Sequence, residues 1–167
     1  MMTYCLTDKK KVKSLAEVFT PAGVVFQMCL QKDIRPAVMD VDKTILDPAV
    51  GQGQFPCTEL VLKLFFNVDK LNEEIALRAL KSLYSIDIQP ASVDKTRAHL
   101  IATLIDSYKY FTGKKFTLLN DAKSIVNENI IVGDFLKLAK QWTNSQLSLF
   151  WRWYYATRYR QDWTVNE

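Results

Sequence analysis

Three acids in this sequence each close a short apolar run. Asp47 ends Lys43-Thr-Ile-Leu-Asp47, Asp87 ends Leu83-Tyr-Ser-Ile-Asp87, and Asp134 ends Asn129-Ile-Ile-Val-Gly-Asp134. Runs of that length, bounded by turn residues, read as β-strands. In an open parallel sheet, ligands bind beyond the carboxyl ends of the strands, so three carboxylates at three tips would meet one ligand. Asp47 is followed by Pro48-Ala-Val-Gly51-Gln-Gly53-Gln-Phe55. Gly51 and Gly53 let the backbone turn tightly and approach a ligand closely. An acid ahead of such a turn repels phosphate and suits a cationic group, a sulfonium or an amine. Asp87 has the place from which a carboxylate can accept two vicinal ribose hydroxyls. Asp134 can accept from the exocyclic amine of adenine, with Phe135 covering the ring. The turn is neither the dinucleotide fingerprint GxGxxG nor a phosphate loop ending in Gly-Lys-Ser/Thr.

The elements that must position these acids alternate. Thr20-Pro21 reads as a helix start, with Thr as N-cap and Pro first in the helix. The spacing then puts Val24, Val25, Met28 and Cys29 on one helical face, with Pro36 beyond its end. The first strand and its glycine turn lead to a helix around Thr58 to Phe66. A linker near Asn67–Asn72 precedes an amphipathic helix over Glu73 to Lys81. After the second strand, Pro90 opens a helix over Ala91 to Tyr108, with Val93, Ala98, Leu100, Ile101 and Leu104 inward. A glycine and lysine loop at Gly113–Lys115 and the third strand follow. Phe135 begins another helix, and the part from Asn144 on reads as a helix crowded with aromatics. Strands alternating with helices predict an α/β unit with a parallel sheet.

Composition is compatible with this. The chain has 167 residues, 49% apolar and 24% charged, which is enough to fill a core and excludes general disorder. A formal net charge of +4 permits an anionic partner without requiring one. Cys5, Cys29 and Cys57 form no CxxC pair and no Cys/His cluster, so the expectation is reduced, mostly buried thiols, without zinc or a disulfide framework. No signal-type segment and no run of about 18 apolar residues occurs, so no membrane is expected and a cytoplasmic location is.

Four segments together carry a resemblance: Glu17-Val-Phe19-Thr20-Pro21, Ile45-Leu-Asp47-Pro48-Ala49-Val-Gly51-Gln-Gly53-Gln-Phe55, Tyr84-Ser-Ile-Asp87-Ile-Gln-Pro90, and Ile131-Val-Gly133-Asp134-Phe135. In this order they resemble adenine-specific (N6) DNA methyltransferases over roughly residues 16–140, at the spacing of βα units. The resemblance implies S-adenosylmethionine as cofactor. Phe19, Thr20 and Pro21 would pack over its methionine end. Asp47, Ala49, Gly51 and Gly53 would wrap the amino acid part. Asp87 would bind the ribose, and Asp134 with Phe135 the adenine. The implied fold is Rossmann-like, an incomplete parallel sheet with flanking helices and a C-terminal helical tail. The implied division is a basic arm over 1–15, a cofactor-binding domain over 16–142 and an aromatic tail over 143–167.

The family's catalytic motif, Asp/Asn/Ser-Pro-Pro-Tyr/Phe/Trp, requires two adjacent prolines. The prolines here stand at 21, 36, 48, 56 and 90, so none are adjacent. No catalytic residue is assigned. The implied function is the cofactor-binding half of a DNA adenine-N6 methyltransferase, of restriction-modification or phage type, with activity by this chain alone in doubt. The alternative is a non-catalytic S-adenosylmethionine-binding subunit or regulator of a split methyltransferase; a fragment without ligand is the third reading. Expected partners are DNA and a second methyltransferase subunit or another copy. Three strands leave Lys43–Asp47 at a sheet edge, a pairing liability. The cluster Phe150, Trp151, Trp153, Tyr154, Tyr155, Tyr159 and Trp163, another protein, or a second copy is expected to cover it.

Plainer readings stand beside these. Asp47 can cap the following helix, Asp87 can be an ordinary strand-end acid, and Asp134 can be an N-cap with Phe135 as a core aromatic. His99 has no metal-type neighbour. The run from Lys9 to Lys13 reads as a solvated arm or a nucleic-acid contact. Trp151, Arg152, Tyr154, Arg158 and Arg160 read as a buried helix face or a platform for single-stranded bases.

Overall fold

The computed structural model of the chain describes residues 20–141. Expectations for Phe19, for the basic arm and for the aromatic tail lie outside those residues. The chain divides into two compact units after Val132, and each is described by itself.

The first unit is mixed α/β. Its described elements are α1 (Ala22–Cys29), α2 (Arg35–Met39), β1 (Ile45–Asp47), α3 (Gln54–Phe66), a 3-10 turn (Val68–Lys70), α4 (Glu73–Lys81), β2 (Leu83–Asp87), α5 (Pro90–Thr112), α6 (Leu119–Asn129) and β3 (Ile130–Val132). The three strands pair in the order β1-β2-β3. Both pairings are parallel: Ile45 faces Leu83 and Asp47 faces Ser85, while Ser85 faces Ile130 and Asp87 faces Val132. The α/β alternation and the parallel sheet are as expected, and among the described residues β1 is an edge strand.

Side chains alternate along a strand, so Ile45, Leu83, Ser85 and Ile130 share one face. Leu83 and Ile130 are buried there against Leu60 and Leu64 of α3, Ala76 and Leu80 of α4, Leu100 and Leu104 of α5, and Val126 of α6. The opposite face is barer, with Leu46 36% and Tyr84 39% exposed. The strand order explains the difference. A sheet that steps in one direction through right-handed crossovers carries the helices of both crossovers on the same side.

Local chemistry sets most element ends. Asn72 caps α4 by accepting the Ile75 N–H at 2.9 Å; Glu73 and Glu74 occupy the first turn, Arg78 and Lys81 the last half. Pro90 opens α5, and Gly113, in the left-handed region at φ 69°, closes it four residues later than the spacing predicts. Asn129 ties β3 to β2: its Nδ2 donates to the carbonyls of Lys81 (2.8 Å) and Leu83 (3.1 Å).

Several expectations are corrected. Pro21 is the N-cap of α1 rather than its first residue, and its carbonyl accepts the N–H groups of Val24 and Val25. Only Val25 and Cys29 of α1 are buried; Val24 and Met28 face outward. The small cluster below α1, with Val38 and Leu62 as its other buried members, accepts a stripe two residues wide. Pro36 lies beyond α1 as expected but belongs to the first turn of α2. Ala98 is exposed and Ile101 only partly buried, so the inward stripe of α5 runs through Val93, Leu100, Leu104 and Tyr108. Helix α6 carries no reading from the sequence.

Lys63, a charged residue in the apolar stretch of α3, is 0% exposed. Its Nζ donates to the carbonyls of Ala37 (2.9 Å), Asp40 (2.6 Å) and Lys43 (2.8 Å). These three bonds pin the segment that delivers the chain to β1. Burial pulls the ammonium pKa down to about 8, against the neighbouring charges of Glu59, Asp40 and Asp42.

The second unit contributes one described helix, α7 (Phe135–Gln141).

Candidate ligand-binding site

The loop between β1 and α3 is fastened on both sides. On the β2 side, Asp87 Oδ2 accepts the Gly51 N–H at 2.9 Å, and the Ile86 carbonyl accepts the Val50 N–H at 3.1 Å. On the α5 side, Thr96 Oγ1 donates to the Gly51 carbonyl at 3.2 Å. His99 Nδ1 lies 2.9 Å from the Gln52 carbonyl, so His99 fastens the loop. Gly51 and Gly53 both adopt positive φ, 55° and 85°, which side-chain-bearing residues resist. Around Gly51 there is open space where a Cβ would stand, whereas a Cβ at Gly53 would come to 3.0 Å from Thr96 Cγ2. Gly53 therefore serves close packing on α5 and the start of α3, and Gly51 leaves room.

Asp47 does not cap α3, whose N-cap is Gly53. Its Oδ1 accepts the Ala49 N–H at 3.1 Å, an Asx-type turn that starts the loop. Its Oδ2 is buried and has no hydrogen-bond partner. Burial raises the Asp47 pKa; the Ala49 hydrogen bond opposes this and the Asp87 charge adds to it. Asp87 is less free than a plain strand-end acid, because its Oδ1 also accepts the Gln89 N–H at 2.8 Å. A carboxylate has about four lone-pair sites, so two remain for a ligand.

The structure thus brings together Asp47, Ala49, Gly51, Gly53 and Asp87. Thr20 and Pro21 stand ahead of α1, where the Pro21 carbonyl serves the helix start. Asp134 and Phe135 belong to the second unit. There the Asp134 carboxylate accepts the N–H groups of Leu136 (3.0 Å) and Lys137 (3.2 Å), a helix-capping geometry, and lies 3.6 Å from Lys137 Nζ.

Sequence reasoning missed Thr96, Ser85 and Glu59. Ser85 Oγ is buried and unpartnered. Glu59, 6% exposed, is pushed up to about 7, first by burial, then by the charge of Asp47, with Lys63 opposing. The available signal was Glu59 and Lys63 spaced i, i+4 inside an otherwise apolar helical stretch, a pair on one face. Cys29 and Cys57 are free thiols, pushed up by burial to about 12 and about 11, and so are poor nucleophiles. Among the described residues no cluster of His, Cys, Asp or Glu could hold a metal ion, and no helix is long and apolar enough to cross a membrane.

No family model, curated protein or solved structure matches this chain.

Proposed function

We propose that the chain binds S-adenosylmethionine at the tips of β1 and β2, as the cofactor-binding part of a Rossmann-like DNA adenine-N6 methyltransferase. One observation carries this reading: the unpartnered Asp47 Oδ2 stands beside a glycine loop that Asp87 fastens through the Gly51 N–H. An orphaned buried carboxylate oxygen suits a cationic group, and the space at Gly51 admits a ligand against the backbone. The residues present fit the donor. Asp47 and the Ala49–Gly53 loop would hold its amino acid part, and Asp87 the ribose through its remaining lone pairs. Thr20 and Pro21 would close the methionine end. The bound donor supplies an electrophilic sulfonium methyl. The chain's own part is to orient that donor and exclude water from it.

The second reading is a non-catalytic S-adenosylmethionine-binding subunit or regulator. The lack of any adjacent proline pair in the sequence favours it. Calorimetry with S-adenosylmethionine tests the shared element, and absence of binding rejects both readings. Transfer of a tritiated methyl group to DNA, assayed with and without the product of the adjacent gene, separates them. Transfer under either condition supports the first reading; binding without transfer under both supports the second.

A further inference from the structure

Four aromatic rings form a continuous ridge where α3 and α5 end. Phe65 and Phe66 close α3, with ring centroids 5.5 Å apart. Phe65 reaches Phe111 of α5 at 6.1 Å, and Phe111 reaches Tyr110 at 5.4 Å. The inner rings are anchored: Phe66 packs on the small cluster below α1, and Phe111 on the main core. The outer rings are displayed, with Phe65 53% and Tyr110 84% exposed. A phenylalanine left so open forgoes the burial that folding normally gives it. Contiguous apolar exposure rimmed by polar residues marks an interaction surface.

The rim is mostly positive. Arg35, at the start of α2, stands 6.0 Å from the Phe66 ring centroid. Lys109 adjoins Tyr110 in sequence, and Lys114 and Lys115 follow the glycine that ends α5. All four cations are exposed, and among the described residues none is held in an ion pair. Two acids stand against them in the neighbouring sequence: Asp106, one turn before Tyr110, and Asp69, offset by Lys70 beside it. Exposed rings between free cations supply both parts of a site for single-stranded nucleic acid. Bases stack on the rings, and phosphates meet the cations. A purely apolar partner would leave those cations unanswered. A duplex keeps its bases inside, stacked about 3.4 Å apart. Rings 5.4–6.1 Å apart suit a strand whose bases are separated.

We propose that the ridge of Phe66, Phe65, Phe111 and Tyr110 binds single-stranded nucleic acid, with Arg35 on one flank and Lys109, Lys114 and Lys115 on the other. The ridge is separate from the loop at the strand tips. Gly53, the N-cap of α3, lies against Thr96 near the start of α5, whereas Phe65 and Phe111 meet where the two helices end. Helix α3 has 13 residues, a span of about 20 Å. A strand on the ridge is held there at a distance from the loop, and the proposal stands whether or not the loop binds a methyl donor.

Fluorescence anisotropy of a labelled oligothymidylate of about 20 nucleotides, titrated with the full chain, tests this. Binding should appear at about 50 mM salt and weaken roughly tenfold to fiftyfold by about 200 mM. Tyr110→Ala and Phe65→Ala should each weaken it about tenfold, and Tyr110→Trp should preserve it. Arg35→Ala should weaken it and flatten its salt dependence. Tyr110 is the more exposed ring, so Tyr110→Ala decides the matter if Phe65→Ala fails to fold. Oligouridylate in place of oligothymidylate distinguishes RNA from DNA, and preference for either supports the proposal. Absence of binding to both overturns it. So does binding that Tyr110→Ala leaves unchanged, or a duplex bound as tightly as the single strand. Light scattering completes the test: a dimer that Tyr110→Ala splits makes a second copy the occupant of the ridge and overturns the proposal.

Discussion

The carboxylate of Asp87 holds the backbone N–H of Gly51 at 2.9 Å across 36 residues of sequence. The second strand tip therefore shapes the loop that leaves the first. A residue expected only to touch a ligand is also a part of the loop's frame. Changes at Asp87 will act twice, on the fold of the loop and on what the loop binds.

Replacing Asp87 separates the two roles. Asp87→Ala removes the acceptor for both Gly51 and Gln89 and should lower stability by about 1–3 kcal/mol. Asp87→Asn keeps one acceptor and should cost less than half as much. If Asp87 also grips the ribose, both variants should bind S-adenosylmethionine at least about tenfold more weakly. Denaturant unfolding and calorimetry on the same samples decide; unchanged affinity in Asp87→Asn rejects the ribose role.

The two loop glycines should respond differently to alanine. At Gly51 the cost is backbone strain alone, about 1–2 kcal/mol. At Gly53 the same strain is joined by a Cβ contact of 3.0 Å with Thr96 Cγ2. Gly53→Ala should therefore be the more destabilising, and adding Thr96→Ser should recover part of the loss for Gly53→Ala but not for Gly51→Ala. Thermal unfolding of the four proteins tests this, and equal melting temperatures for the two alanine variants would count against the packing.

Lys63→Met should cost about 3 kcal/mol or more, because three carbonyls lose a charged donor at once. Lys63→Arg should not rescue it, since a planar guanidinium cannot point at three carbonyls set around an ammonium. Hydrogen exchange should locate the loss in residues 37–47; a loss spread evenly over the chain would contradict the cage.

The raised pKa of Glu59 fixes a pH dependence. The folded chain binds this proton more tightly than the unfolded chain. The stability it contributes is full below the unfolded value of 4.5 and is lost as pH rises through about 7. Between about pH 5 and about pH 8 the unmodified chain should lose about 1–3 kcal/mol more than Glu59→Gln. Lys63 works elsewhere: its lowered pKa removes stability as pH falls from 10.5 through about 8. Urea unfolding across the range tests the difference, and parallel curves would refute it.

Much of the frame was legible because short apolar runs closed by an acid have few alternatives. The strand ends at Asp47 and Asp87, the helix over Glu73 to Lys81 and the start at Pro90 follow from local rules. Helix α6 was not legible: its buried face is Ala122, Val126 and Asn129, too sparse for an apolar stripe. The outward turn of Val24 and Met28 depends on how little lies beneath α1, which no periodicity encodes. Of the site, the loop acids and glycines were legible as types. That Asp87 is already engaged by two N–H groups, and that Glu59 and Lys63 point inward, depends on tertiary packing. A pattern of hydrophobicity assigns charged side chains to the outside.

The ammonium of Lys63 gathers three carbonyls from a stretch that has left α1 and not yet entered β1. A helix formed later in the sequence thus anchors the thread that comes before it. The place of the first strand is thereby coupled to the third helix, and the two should appear and disappear together as a single cooperative knot.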